Sequence, residues 1–279
     1  MKKTWKHLFA VVLALALTLS VSVCAFAAEG NMRTFKTIPD TFSYIQSEVH
    51  PMIDQGPFTI SQATLTENGV DTPVYFIAMH GTETSSFGEA EDVVSDLYAG
   101  FDKESQYMKD IKKDILTDVP KGSNLVIAGH SLGGMTAQQL AADPEIKDNY
   151  NILYVTAIAA PLLSYQKTEG KVNRLAEKAD AVPYMSHYTL SDLDLQKSTR
   201  SEEHGSKYNI INSHTGSYKD PAVWGDYDAV GNKGGNAVLT VNTDTTKVYC
   251  APISDRQTGT RAYASVFIDG NWIGVSVLY

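Results

Sequence analysis

From Thr34 to about Pro221, unbroken apolar runs alternate with stretches in which apolar residues recur every three or four positions. Val74–Met79 (VYFIAM), Asn124–Gly129 (NLVIAG) and Asn151–Ala160 (NILYVTAIAA) are runs of strand length. Glu89–Gly100 (EAEDVVSDLYAG), Ser105–Leu116 (SQYMKDIKKDIL) and Met135–Ala142 (MTAQQLAA) carry helical spacing and stop at Gly100, before Pro120 and at Asp143-Pro144. Lys171–Ala179 (KVNRLAEKA) fits either period. Strands that are apolar on both sides, separated by helices, predict an α/β fold with a mainly parallel sheet covered on both faces.

The texture changes after Trp224. Asp228–Ala237 (DAVGNKGGNA) is rich in glycine and reads as a linker. Four short runs rich in valine, threonine and aromatic residues follow: Ala237–Val241, Lys247–Ala251, Ala262–Ile268 and Trp272–Leu278. Asp269-Gly270-Asn271 marks a hairpin turn. This pattern predicts a small all-β module over residues 223–279, after a larger domain at 28–222. At about 50 residues the module is near the lower limit for independent folding. The competing reading is that these strands extend the larger sheet. If the module is separate, a chain ending near Asp226 stays soluble, and the module itself is free to bind a surface or a polymer.

The first 27 residues follow neither pattern. Lys2, Lys3 and Lys6 precede Leu8–Leu19 (LFAVVLALALTL), an apolar stretch too short to span a bilayer comfortably, and Ala25-Phe26-Ala27 is a small-residue cleavage signal. These are the marks of a secretory signal peptide, and they predict an extracellular protein with no stable membrane span after processing. Cleavage leaves 20 basic and 32 acidic residues, a net charge of −12. That balance argues against nucleic acid as a partner and against charge-driven adhesion to anionic membranes. Cys24 leaves with the signal, so Cys250 stands alone and no intramolecular disulfide is expected.

Candidate chemistry centres on Gly129-His130-Ser131-Leu132-Gly133, between a predicted buried strand and a predicted helix. A serine at so sharp a turn has its hydroxyl exposed above the sheet, and the chain packs closely two residues before and two after it. Only the smallest residue suits those places, and both are glycine. The helix start also directs backbone N–H groups towards any oxyanion that forms there. Such a serine needs a histidine to take its proton and a carboxylate to orient that histidine. In folds of this kind both follow the serine, which leaves His187, His204 and His214 as candidate bases.

Several segments together carry a resemblance. Gly129–Ala137 (GHSLGGMTA), Ala160–Leu163 (APLL), Ala179–Met185 (ADAVPYM) and Met79–Glu83 (MHGTE) are similar to the class 3 lipases of the α/β-hydrolase fold, with His80 where that family carries arginine. The resemblance covers roughly Val74 to Tyr218. It implies Ser131 as nucleophile, Asp180 as the orienting carboxylate, and the N–H groups of Leu132 and Thr82 as the oxyanion hole. It also implies a structural role for His130. Asp192 and Asp194 are solvated alternatives to Asp180, and too few ligands cluster there for calcium. The family's histidine is followed a few residues later by tyrosine, which HTGSY at His214 and HGSKY at His204 both approximate. His214 is favoured because apolar Ile210-Ile211 can anchor its segment to the core.

The function expected is that of a secreted serine esterase or lipase, acting on a small-molecule or lipid ester with no cofactor and no metal. The alternative is a non-catalytic surface-binding protein that has kept a relic hydrolase fold. In the family, a lid often follows the oxyanion residue. Here that segment is Glu83–Val94, with Phe87 as its one large apolar residue before Val93-Val94 and four acids among its side chains.

Overall fold

The computed structural model describes residues 31–47, 49, 58–81, 106–161, 171–180, 182–185, 198–203, 210–249, 261–268 and 271–278. The expected signal segment, the expected helix at 89–100, the expected lid segment and Cys250 lie outside the described residues.

The strands are β1 (Met32–Phe35), β2 (Phe58–Glu67), β3 (Val70–Met79), β4 (Asn124–His130), β5 (Asn151–Ile158), β6 (Lys171–Glu177), β7 (Ser198–Glu203), β8 (Val238–Asn242), β9 (Lys247–Tyr249), β10 (Arg261–Ile268) and β11 (Asn271–Leu278). The helices are α1 (Ile38–Ser47), α2 (Gln106–Asp118), α3 (Leu132–Ala142), α4 (Pro144–Asn149), α5 (Ile210–Gly216) and α6 (Pro221–Trp224). Nine strands form one sheet in the order β1-β8-β2-β3-β4-β5-β6-β7, with β9 also on β2. From β3 to β7 every neighbouring pair is parallel. β1, β2, β8 and β9 form an antiparallel wing. The chain is therefore an α/β protein with a mostly parallel central sheet.

Each apolar run forms a strand because both of its faces are covered. Val74, Phe76 and Ala78 of β3 and Val126 and Ala128 of β4 pack with α1 through Ile38, Phe42 and Ile45. The intervening Ile77, Met79, Leu125 and Ile127 pack with Ile111 and Ile115 of α2 and Ala137 and Leu140 of α3. A strand buried on both faces has no polar alternation to show, so it reads as continuous apolar sequence. In β5 a register irregularity opposite Leu125/Val126 keeps Ile152 on the second of these faces and Tyr154 on the first. Lys171–Glu177, ambiguous by pattern, is a strand: it pairs with β5 and β7, and after Lys171 all six residues are buried.

The expected C-terminal module requires correction. β8 lies between β1 and β2, pairing Leu239 with both Phe35 and Leu65. β9 continues along β2, with Tyr249 stacked on Phe58 at 4.6 Å. Trp224, Tyr227, Val230, Ala237, Leu239 and Val241 belong to the core beside α1. Residues 223–249 therefore complete the main sheet. Only β10 and β11 make a sheet of their own, an antiparallel pair in which Ile268 opposes Asn271. The glycine-rich stretch is no loose linker either. The buried Asp228 carboxylate accepts from the backbone N–H groups of Val230, Asn232 and Ala237 and from Asn232 Nδ2, which ties the loop into the core. The expectation for truncation is thus reversed. A chain ending at Asp226 removes a strand from between β1 and β2 and should be insoluble, whereas one ending just after Tyr249 should stay soluble. Solubility and thermal unfolding of the two chains check this.

Candidate functional site

Parallel strands carry the ends of several segments to one edge of the sheet, the usual location of a site in such folds. Ser131 follows β4 there, His80 follows β3, and Asp180 follows β6 by two turn residues.

Ser131 has φ 56° and ψ −123°, a left-handed conformation uncommon outside glycine. Backbone bonds hold it: its N–H donates to Ile158 O at 2.9 Å, and its carbonyl accepts from Met135 N at 3.0 Å. The neighbouring glycines allow the close turn. A Cβ at Gly133 would lie 2.5 Å from Met79 O and 2.6 Å from His80 O. A Cβ at Gly129 would collide with the backbone of Gly133 itself. The tightness read from the sequence at these two positions is thus a backbone contact that excludes any side chain.

His214 lies in the last turn of α5 and reaches back to the serine. Its Nδ1 is 3.1 Å from each carboxylate oxygen of Asp180, and its Nε2 is 3.1 Å from Ser131 Oγ. A carboxylate only accepts, so Nδ1 carries the proton and Nε2 accepts from the serine hydroxyl. Ser131 is buried, the Asp180 side chain is fully enclosed, and the His214 side chain keeps 18% exposure, so of the three it is the imidazole that meets solvent.

Asp180 has further partners. Val182 N–H donates to Oδ1 at 3.0 Å, and the Tyr218 hydroxyl donates to Oδ2 at 2.9 Å. Tyr218 in turn accepts from Glu177 N–H at 2.8 Å and stacks on Trp224 with ring centres 5.4 Å apart. Burial and the adjacent Asp180 carboxylate push the Tyr218 phenol well above its ordinary range, so it stays a donor. Tyr218 was visible in the sequence only as the tyrosine of HTGSY, and its contact with Asp180 was not foreseen.

His130, directly before the serine, is buried and does not contact Ser131 Oγ as a base. Its Nε2 lies 3.0 Å from His214 O and its Nδ1 lies 3.1 Å from Gln46 Nε2. Its ring sits 4.7 Å from the His214 ring and edge-on to Phe42 at 5.0 Å. Burial, and after it the neighbouring His214 and His80, hold its pKa well below the usual histidine value.

Of the residues singled out in the sequence, Ser131, Asp180 and His214 come together, and Leu132 opens α3 beside them. Gly81 abuts the serine, since a Cβ there would lie 2.7 Å from Ser131 Cβ. Thr82, His187, Asp192, Asp194 and His204 lie outside the described residues. Among the described residues no group of three or more histidine, cysteine or acidic side chains could hold a metal ion, and no helix is long and apolar enough to cross a membrane. Comparison with protein-family models, with curated proteins and with solved structures finds no match for this chain.

Proposed function

We propose that this chain is a secreted serine hydrolase of the α/β-hydrolase type, resembling the class 3 lipases, that cleaves carboxylic esters. The observation that carries the reading is the unbroken chain of hydrogen bonds from Ser131 Oγ through His214 to Asp180, each about the length a proton-transfer relay needs. Ser131 Oγ attacks the ester carbonyl carbon and its proton passes to His214 Nε2. Asp180 stabilises the imidazolium through Nδ1–H. The N–H groups of Leu132 and Thr82 donate hydrogen bonds to the developing oxyanion. Collapse breaks the bond to the leaving alcohol, which departs with the Nε2 proton and leaves an acyl-serine. Water then attacks, giving its proton to Nε2, and the carboxylic acid leaves as Ser131 regains its hydrogen.

The direct test is hydrolysis of a soluble nitrophenyl ester near neutral pH, with a serine-directed phosphonate as inhibitor. Turnover that the phosphonate abolishes supports the proposal. A well-folded protein that neither turns over the ester nor takes up the phosphonate returns the surface-binding alternative.

The substrate class follows from the segment Glu83–Val94. A lid that binds an oil surface needs a broad apolar face, because each buried CH₂ contributes only about 0.8 kcal/mol. One phenylalanine among four acids, on a chain of net charge −12 after processing, gains little at a lipid surface. Short and medium acyl esters should therefore be preferred over emulsified long-chain triglyceride. The rate against short-chain ester concentration should saturate smoothly through the solubility limit, and a sharp rise where emulsion forms would refute the preference.

A further inference from the structure

His130 touches the candidate base, yet the reaction just described assigns it nothing. Its two ring nitrogens have partners of opposite kinds. His214 O is a carbonyl and only accepts, so Nε2 must carry a proton. The Gln46 amide nitrogen is a donor, so Nδ1 must be bare. Both bonds are satisfied together by one species alone, the neutral Nε2–H tautomer.

We propose that Gln46 is a positioning residue that locks His130 in this neutral tautomer, so that His130 fixes the backbone carrying the catalytic imidazole without placing a positive charge beside it. This rests on the hydrolase reading of the same site. Catalysis requires His214 to become an imidazolium, and a second cation with its ring centre 4.7 Å away would oppose that step. A histidine before the serine thus carries a liability, and a neutral amide donor at Nδ1 removes it. Among the described residues, the charged or titratable groups that face His130 are His214, His80 and Lys219, all of which disfavour a cation, with burial as the larger cause. No carboxylate is among them. An acid at position 46 would change that, because a carboxylate facing Nδ1 needs a proton there and would make His130 an imidazolium.

The test uses the full secreted chain labelled with ¹⁵N-histidine, compared with Gln46→Glu. Signals of His130 are assigned by their loss in His130→Gln. In the wild type, His130 should show the neutral Nε2–H pattern at neutral pH. In Gln46→Glu it should become an imidazolium at neutral pH. With a nitrophenyl ester, kcat should fall about 10- to 100-fold with KM little changed. The fall follows from like-charge repulsion, which opposes the positive charge that His214 takes on during the reaction. An imidazolium or an Nδ1–H tautomer at His130 in the wild type overturns the proposal, and so does an imidazolium in Gln46→Glu that leaves kcat unchanged. If Gln46→Glu does not fold, Gln46→Met replaces it. His130 should then titrate at a higher pH than in the wild type, and titration at the same pH overturns the proposal. The ¹⁵N spectra do not depend on turnover, so an inactive wild type with the neutral tautomer would reject the hydrolase reading while leaving the role of Gln46 in fixing the tautomer standing.

Discussion

Ser131→Ala is expected to lower kcat/KM for a soluble ester by about 10⁴- to 10⁶-fold while the protein remains folded. The fold should survive because the bonds that hold this residue are made by its backbone, to Ile158 and Met135, and alanine keeps them. Alanine has the same Cβ, so the left-handed conformation costs no more than it does in serine. Only the bond to His214 Nε2 is lost, and the imidazole is open enough to take water instead. Activity should collapse because no other hydroxyl is hydrogen-bonded to that nitrogen among the described residues. His214→Ala should cost a comparable factor, since members of such a unit are not additive. His204→Ala should remain active. Ester kinetics with far-UV circular dichroism and melting on the same samples decide the matter. A Ser131→Ala protein retaining a hundredth of the wild-type rate, or a dead His204→Ala beside an active His214→Ala, would refute the assignment.

Asp180→Asn should reduce kcat by about 10⁴-fold with little change in KM. The carboxylate accepts from three groups: the His214 ring, Val182 N–H and the Tyr218 hydroxyl bind its two oxygens, with Nδ1 bridging both. An amide keeps one acceptor for Val182 and turns a donor towards His214. The imidazole then carries its proton on Nε2 and no longer accepts from Ser131. Tyr218→Phe tests the same carboxylate from its other side. It removes one donor to Asp180 and the acceptor of buried Glu177 N–H, which should cost about 1–3 kcal/mol of stability. Its effect on kcat should be far smaller than that of Asp180→Asn, because His214 keeps its acceptor. The Tyr218 phenol is held well above its ordinary range, so the activity profile should show no alkaline loss from its ionisation. A Tyr218→Phe protein as inactive as Asp180→Asn would show that the hydroxyl does more than support the carboxylate.

Much of this was legible in local sequence. β3, β4 and β5 and the helix after Ser131 were visible because burial on both faces of a sheet, or along one face of a helix, imposes a period on neighbouring residues. Gly129 and Gly133 were legible for a related reason: a turn this tight leaves room for hydrogen alone, and glycine is the only residue that supplies it. Ser131 and Asp180 could be named from motifs, since each sits at a fixed offset from the end of a strand.

The antiparallel wing was not legible. β8 resembles a strand of any small β module, and the glycines before it resemble a linker. Its place between β1 and β2 is set by pairing Leu239 with Phe35 and Leu65, far away along the chain. Periodicity records that a residue is buried and does not record what buries it. The histidine poses the same problem. Three were open by sequence, because a base is selected by the direction of one ring nitrogen and not by its neighbours in the chain. The contacts of Tyr218, His130 and Gln46 lay beyond reach as well. The sequence by itself determined the alternating α/β pattern, the turn at Ser131 and the residue types a relay needs. Only the tertiary structure decided that residues 223–249 complete the sheet, that His214 faces Ser131, and that Gln46 meets His130, because each depends on hydrogen-bond geometry between segments that local sequence does not relate.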